Sequence, residues 1–132
     1  MKLLDYTESA DEIILFIEFC NDANFFEVQL EQKKKEIKDE KLLKSWAKDI
    51  LTALSVVHKE NIIHADLKLP NLLLHRPSEE EEAKGQLPVV KLCDFGISQV
   101  ITPQKFGGLK KALMKERSGT CGYIAPEIRG AN

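Results

Sequence analysis

Cysteine, proline and glycine are scarce in this 132-residue sequence, with 3, 5 and 7 copies. Cys20, Cys93 and Cys121 are odd in number and far apart. That excludes a disulfide framework, a zinc knuckle and a Cys-x-x-Cys redox pair. The expectation is three thiols that pack as small hydrophobes in a reducing compartment. The low glycine and proline content excludes collagen-like and low-complexity chains. Long apolar runs are absent too. The longest spans residues 13–17 and ends at Glu18, whereas a bilayer span needs about 20 such residues. No basic–apolar–small signal opens the chain, and no repeat of 20–50 residues is visible. Neither sign of charge dominates. With 19 basic and 21 acidic residues the net charge is −2, so no bulk attraction to nucleic acid or anionic membrane is expected.

What is present is an ordinary globular mixture, 43% hydrophobic and 30% charged. It suffices for one domain or for part of a larger one. A soluble intracellular protein is expected, with the cytoplasm as its default location.

Residues 3–6 and 13–19 are short and rich in β-branched and aromatic side chains, with a polar stretch at 7–12 between them. The pattern predicts a β-hairpin with a six-residue connection. Asn24, three positions before Glu27, predicts the start of a helix carrying Phe25, Phe26, Val28 and Leu30. Residues 32–38 are charged and expected to be exposed. From Asp39 to His58, the residues Leu43, Trp46, Ala47, Ile50, Leu54 and Val57 recur at steps of three and four. They predict a long amphipathic helix capped by Asp39. Ile62 and Ile63 follow, then a polar loop at 64–71, and then two short strands at 72–74 and 89–93. The stretch 75–88 between those strands, with four consecutive glutamates, is expected to be a solvated, flexible excursion. Beyond Gly96 the chain should be irregular and basic up to Pro126.

Three segments carry chemistry. His64-Ala65-Asp66-Leu67-Lys68-Leu69-Pro70-Asn71 gathers a carboxylate, an ammonium and an amide in one loop after a helix. Phosphoryl transfer needs such a set: a carboxylate for the attacking hydroxyl, a cation for the travelling phosphate and oxygen donors for Mg²⁺. Asp94-Phe95-Gly96, at a strand end, adds a second hard oxygen donor. The third segment is Gly119-Thr120-Cys121-Gly122-Tyr123-Ile124-Ala125-Pro126-Glu127. Singly, each is commonplace, and His64 alone would be read as a hydrogen-bonded structural histidine. In this order and context they are not a coincidence.

In these motifs the sequence resembles the eukaryotic serine/threonine protein kinase family. The resemblance implies an α+β, protein-kinase-like fold fragment. Residues 1–20 would be the end of the small lobe, with two strands and the hinge. Residues 21–132 would be an incomplete, helical large lobe with a short β-hairpin, the catalytic loop and the activation segment, truncated after that segment. It further implies ATP and Mg²⁺ as cofactors and serine or threonine hydroxyls of proteins as substrate. Asp66 would be the catalytic base and Lys68 would steady the γ-phosphate. Asn71 and Asp94 would hold the metal. Ile17 resembles the gatekeeper, and the backbone of Glu18 and Cys20 would meet adenine, with Leu73 beneath the ring. Asn24 stands where the family often places a ribose contact, and helix capping explains it as well. His64, Phe95, Gly96, Thr120, Ala125, Pro126 and Glu127 would shape the catalytic loop and activation segment.

The sequence also departs from the family pattern. No glycine-rich loop, strand lysine or pairing glutamate precedes Lys2, and only five residues follow Glu127. The 132 residues by themselves are therefore expected to be a poor enzyme, with an exposed stripe on the 39–58 helix and no ion-pair partner for Glu127. Ala65 replaces the arginine that usually precedes the catalytic aspartate, so a phosphate on Ser118 or Thr120 should order the loop less. Leu69-Pro70 replaces the usual Pro-Glu. The segment 102–117, with Lys105, Lys110, Lys111, Lys115 and Arg117, reads either as a docking strip for a regulatory partner or as a solvated loop. The main alternative is a pseudokinase or scaffold without turnover. A small-molecule kinase of the aminoglycoside or choline type is disfavoured by Asp94-Phe95-Gly96 and by residues 119–127.

Overall fold

The computed structural model describes residues 1–25, 27, 28, 38–101 and 119–129. In chain order the elements are β1 (Leu3–Glu8), β2 (Ile13–Ile17), α1 (Glu40–Lys59), β3 (Ile62–Ile63), β4 (Leu72–His75), α2 (Glu79–Ala83), β5 (Val89–Leu92), β6 (Gln99–Val100) and α3 (Pro126–Arg129). The strands form three separate antiparallel pairs, β1 with β2, β3 with β6 and β4 with β5. One long helix packs among them, and the architecture is α+β.

The first hairpin is longer on its first strand than the polar stretch 7–12 suggests. Thr7 pairs with Ile14 and Glu8 with Ile13, so the connection has four residues rather than six. Ser9 is the reason: its Oγ accepts from the amides of Asp11 and Glu12 at 3.4 and 3.2 Å, and its own N–H donates to the Glu12 carbonyl at 2.9 Å. This closed turn sets the register. β2 stops at Ile17; the Glu18 amide still donates across to Lys2 O at 2.9 Å, and Phe19 lies beyond the strand. All residues of both strands are exposed.

Helix α1 forms as its periodicity requires. Asp39 Oδ1 accepts from the amides of Lys41 and Leu42 at 2.9 and 3.1 Å, which satisfies two free N–H groups of the first turn. The helix ends where Asn61 adopts a left-handed φ of 56°. Its inner face meets the β4–β5 ribbon. Leu72 pairs with Leu92 and Leu74 with Val90. With Trp46 these four side chains make the buried core, and Phe25, Leu42, Ile50 and Leu54 pack around it. The Trp46 indole N–H donates to the Pro88 carbonyl at 3.1 Å, and its ring meets Phe25 edge-on at 4.9 Å. Asp49 Oδ2 accepts from the Val90 amide at 3.1 Å, tying helix to strand. Leu51 and Val56 stay exposed away from this face, and Leu43 and Ala47, expected in the buried stripe, are exposed as well because the β4–β5 ribbon covers only part of it.

Other expectations are corrected. The stretch 75–88 is largely exposed, but it contains α2, nucleated by a capping box between Ser78 and Glu81. The glutamates stabilise the helix N-terminus there instead of merely repelling one another. Beyond Gly96 the chain is not wholly irregular, because β6 pairs with β3 and the Ile101 amide donates to Asn61 O at 2.7 Å. Two-residue strands carry no periodic signal, so only their pairing identifies them. Cys20 and Cys93 are half-buried, but Cys121 lies exposed in a turn. Phe26, Leu30, most of 32–38, the basic segment 102–117 and Ser118 lie outside the described residues.

Trp46→Ala should cost about 3–5 kcal/mol, while Asp39→Ala should cost about 1 kcal/mol. Chemical unfolding monitored by circular dichroism measures both. Equal losses would contradict the placement of the core.

Candidate active site

The short β3–β6 pair delivers the chain to a turn at Ala65, whose φ is 67°. A non-glycine residue in that region costs on the order of 1 kcal/mol and persists only where neighbours hold it. The neighbours are visible. Buried His64 contacts the Cys93 carbonyl through Nε2 at 2.9 Å, and the Asp66 amide donates to its Nδ1 at 3.2 Å. A carbonyl can only accept, so Nε2 carries the proton and Nδ1 the lone pair. The ring is thus fixed as one neutral tautomer. Phe95 meets it edge-on at 4.8 Å, and Ser98 Oγ donates to its carbonyl at 3.1 Å.

Asp66 therefore leaves the turn in a set direction, and its carboxylate is heavily used. Lys68 Nζ lies 2.7 Å from Oδ2. The Thr120 amide and hydroxyl donate to Oδ1 at 3.1 and 2.7 Å. Asn71 Nδ2 donates to Oδ2 at 3.2 Å and to the Asp66 carbonyl at 2.9 Å. Lys68 Nζ also donates to Thr120 Oγ1 at 2.8 Å. The Lys68 ammonium, then the Thr120 hydroxyl, hold the Asp66 carboxyl down to about 2 from its usual 3.8, against the opposing effect of burial. Gly119 permits this approach. Its φ is 124°, and a Cβ there would lie 3.1 Å from the Ala65 carbonyl and 3.2 Å from Ile124.

A second loop is laced to the first. The Cys93 amide and thiol both donate to the Asn71 carbonyl, at 3.0 and 3.3 Å. Asp94 follows at once, with φ 62°, and its Oδ1 accepts from the Gly96 amide at 3.2 Å. Asn71 spends its amide nitrogen on Asp66, which leaves its amide oxygen as the donor toward a metal. An amide oxygen and a carboxylate are hard ligands that suit Mg²⁺, which keeps its remaining positions for water and phosphate oxygens. The residues present therefore fit that ion.

The remaining expected residues fall around this centre. Ile17 ends β2 and is half exposed. The Glu18 amide donates to Lys2 O at 2.9 Å, and its carboxylate accepts the Lys2 amide and the Lys91 ammonium. That ammonium, first among the causes, lowers the Glu18 carboxyl below its usual value. Burial raises the Cys20 thiol. Asn24 forms a reciprocal cap with Glu27, each side chain accepting the other's amide, at 3.0 and 3.1 Å. Its backbone also bridges to Leu73, while its side chain is engaged in capping. Leu73 lies half-buried opposite Lys91. Pro126 opens α3, and the Ala125 carbonyl accepts from Ile128 and Arg129, both at 3.0 Å. The Glu127 side chain lies outside the described residues. Sequence reasoning missed Ser98 and Lys91. Strand alternation around Val90 and Leu92 could have flagged Lys91 as facing away from the core, but nothing local singled out Ser98.

Laced loops of this kind define a class of protein, and the comparison with known families agrees. The family model of the protein kinase domain matches residues 1–132, and the chain belongs to that family. It is 32% identical over 128 residues to a probable myosin light chain kinase of Dictyostelium discoideum, covering 97% of this chain and 35% of the relative. It is 33% identical over 128 residues to calcium/calmodulin-dependent protein kinase type IV of Mus musculus, covering 97% and 24%. Over 140 residues it is 29% identical to the serine/threonine-protein kinase TDA1 of Saccharomyces cerevisiae, covering 97% and 23%. The chain thus spans about a third or less of the curated relatives it matches.

A depressed carboxyl stabilises the fold fully above its unfolded value and loses that contribution as pH falls through its folded value. For Asp66 the contribution is complete above 3.8 and lost as pH falls through about 2. A carbon-13 carboxyl titration should therefore find Asp66 near 2, and Lys68→Met should move it upward toward 3.8. An Asp66 that already titrates near 4 in the native protein would contradict the geometry.

Proposed function

We propose that the protein transfers the γ-phosphoryl group of ATP to serine or threonine hydroxyls of protein substrates. One observation carries the reading: a threonine hydroxyl already rests between the Asp66 carboxylate, at 2.7 Å, and the Lys68 ammonium, at 2.8 Å. A substrate hydroxyl entering this space meets an acceptor for its proton and a cation for the phosphoryl group. In this reading Asp66 accepts the hydroxyl proton as the oxygen bonds to the γ-phosphorus. The bond to the β–γ bridging oxygen breaks and ADP departs. A carboxylate this acidic is a weak base, so its part is chiefly to orient the hydroxyl and to take the proton late.

Lys68 offsets charge on the transferring group and, through Thr120, keeps the 119–129 segment beside the loop. Asn71 and Asp94 would hold Mg²⁺, which supplies charge neutralisation for the phosphates when bound. The hinge-like run Ile17, Glu18 and Cys20 and the apolar side chain of Leu73 would take the adenine, with backbone groups reading its edge. Asn24, held as a cap, contributes little to the ribose. Taken alone, the 132 residues should turn over poorly. The β1–β2 hairpin would have to form one wall of the nucleotide slot, yet it is exposed on both faces, and a two-stranded ribbon without backing is marginally stable.

Asp66→Asn keeps the shape and removes the negative charge. It should lower kcat for phosphorylation of a serine-containing peptide by at least about a thousandfold, while Mg-ADP binding stays within a few fold. A variant that retains native turnover would sink the proposal. Native protein that binds Mg-ADP but transfers no phosphate would favour the pseudokinase reading.

A further inference from the structure

Strand β5 turns Val90 and Leu92 toward α1, so Lys91 faces the opposite side, directly across from Leu73. A partly buried lysine opposite half-buried Leu73 needs a partner, and this one has Glu18. Nζ lies 2.6 Å from Oε2, and the two side chains retain only 21% and 25% of their exposure. The other Glu18 oxygen accepts the Lys2 amide, and the Met1 amine stands 3.9 Å from it. No other ion pair or side-chain hydrogen bond joins residues 17–20 to β5 among the described residues. The next ties to the β4–β5 ribbon come later, where Ala23 O accepts from the Leu74 amide and Asn21 brackets the Arg76 backbone.

The position of this pair matters more than its strength. On one side it holds the stretch 17–20 just after β2. On the other it grips β5 two residues before Cys93, whose amide and thiol fix Asn71, and three before Asp94. We infer that Glu18 and Lys91 are positioning residues that set the distance between the adenine-reading backbone and the metal-side loop, and so govern nucleotide affinity. The inference rests on the adenine slot proposed above. Without the ammonium, the Glu18 carboxylate keeps the Lys2 amide and the more distant Met1 amine, which itself donates to the Leu92 carbonyl at 3.1 Å, so the stretch 17–20 loses its direct side-chain tie to β5 and is held there only through the first residues of the chain. The cost falls on binding, because neither side chain touches the transferring phosphoryl group.

The test uses the full-length protein, with Mg-ADP affinity read by calorimetry and steady-state kinetics read against ATP. Lys91→Met should weaken Mg-ADP and raise KM for ATP about tenfold, the loss expected for one charge-assisted hydrogen bond. Its kcat at saturating ATP should stay within about twofold. Lys91→Arg, which keeps the charge, should recover most of the affinity. Glu18→Gln should weaken binding like Lys91→Met, and the double variant should be no weaker than either alone, because a broken pair cannot be broken twice. Native affinity in Lys91→Met, equal loss in Lys91→Arg, or additive losses in the double variant would each overturn the inference. Should Lys91→Met fail to fold, Glu18→Gln and Lys91→Arg carry the same comparison. Native protein that binds Mg-ADP without transferring phosphate refutes the phosphotransfer reading alone, and the affinity series still decides the role of the pair. Native protein that binds no Mg-ADP overturns both.

Discussion

The Asp66 carboxylate is where distant parts of the chain are joined. It receives the Lys68 ammonium and the Asn71 amide from its own loop, and both the amide and the hydroxyl of Thr120 from a segment more than fifty positions away. A buried carboxylate without partners would be costly. The arrangement is favourable because each oxygen finds donors, and the lowered pKa of the group expresses the same fact. Removing one donor therefore changes the environment of the others. The loop, the turn at residues 93–96 and the 119–129 segment are best regarded as one polar assembly.

That assembly sits against a small apolar core. Trp46 and the inward residues of β4 and β5 are its only buried hydrophobic side chains among the described residues. The polar site borrows rigidity from this core through β5, which presents Leu92 to α1 and, one residue later, Cys93 to Asn71. The outer face of α1 and both faces of the first hairpin remain exposed. Apolar surface is thus left on the first ribbon and the helix, and also beside the site at Leu67, Phe95, Ile97 and Tyr123.

Two backbone features show how function is placed on such a scaffold. Ala65 and Asp94, each the residue before or at a site carboxylate, occupy the left-handed region at 67° and 62°. Hydrogen bonds from both loops hold them there, with His64 as the shared post between Asp66 and Cys93. Strain at these turns aims the side chains, and the surrounding polar network offsets its cost.

Much of this was legible beforehand. The 3.6-residue period from Leu43 to Val57 and the cap at Asp39 determined α1, and the Asn24–Glu27 spacing determined a reciprocal cap, because both are local and repeated along the chain. The order of His64, Asp66, Lys68, Asn71 and Asp94 named a chemistry, since few proteins need those groups in that succession. Local sequence could not decide the β3–β6 pairing, the bond between Thr120 and Asp66 or the meeting of Glu18 with Lys91. Each joins residues 36 or more positions apart, and a two-residue strand or a single charged side chain has no period to betray its partner. Those contacts exist only once the core has closed and brought the two ends of the pairing within a few ångströms of each other.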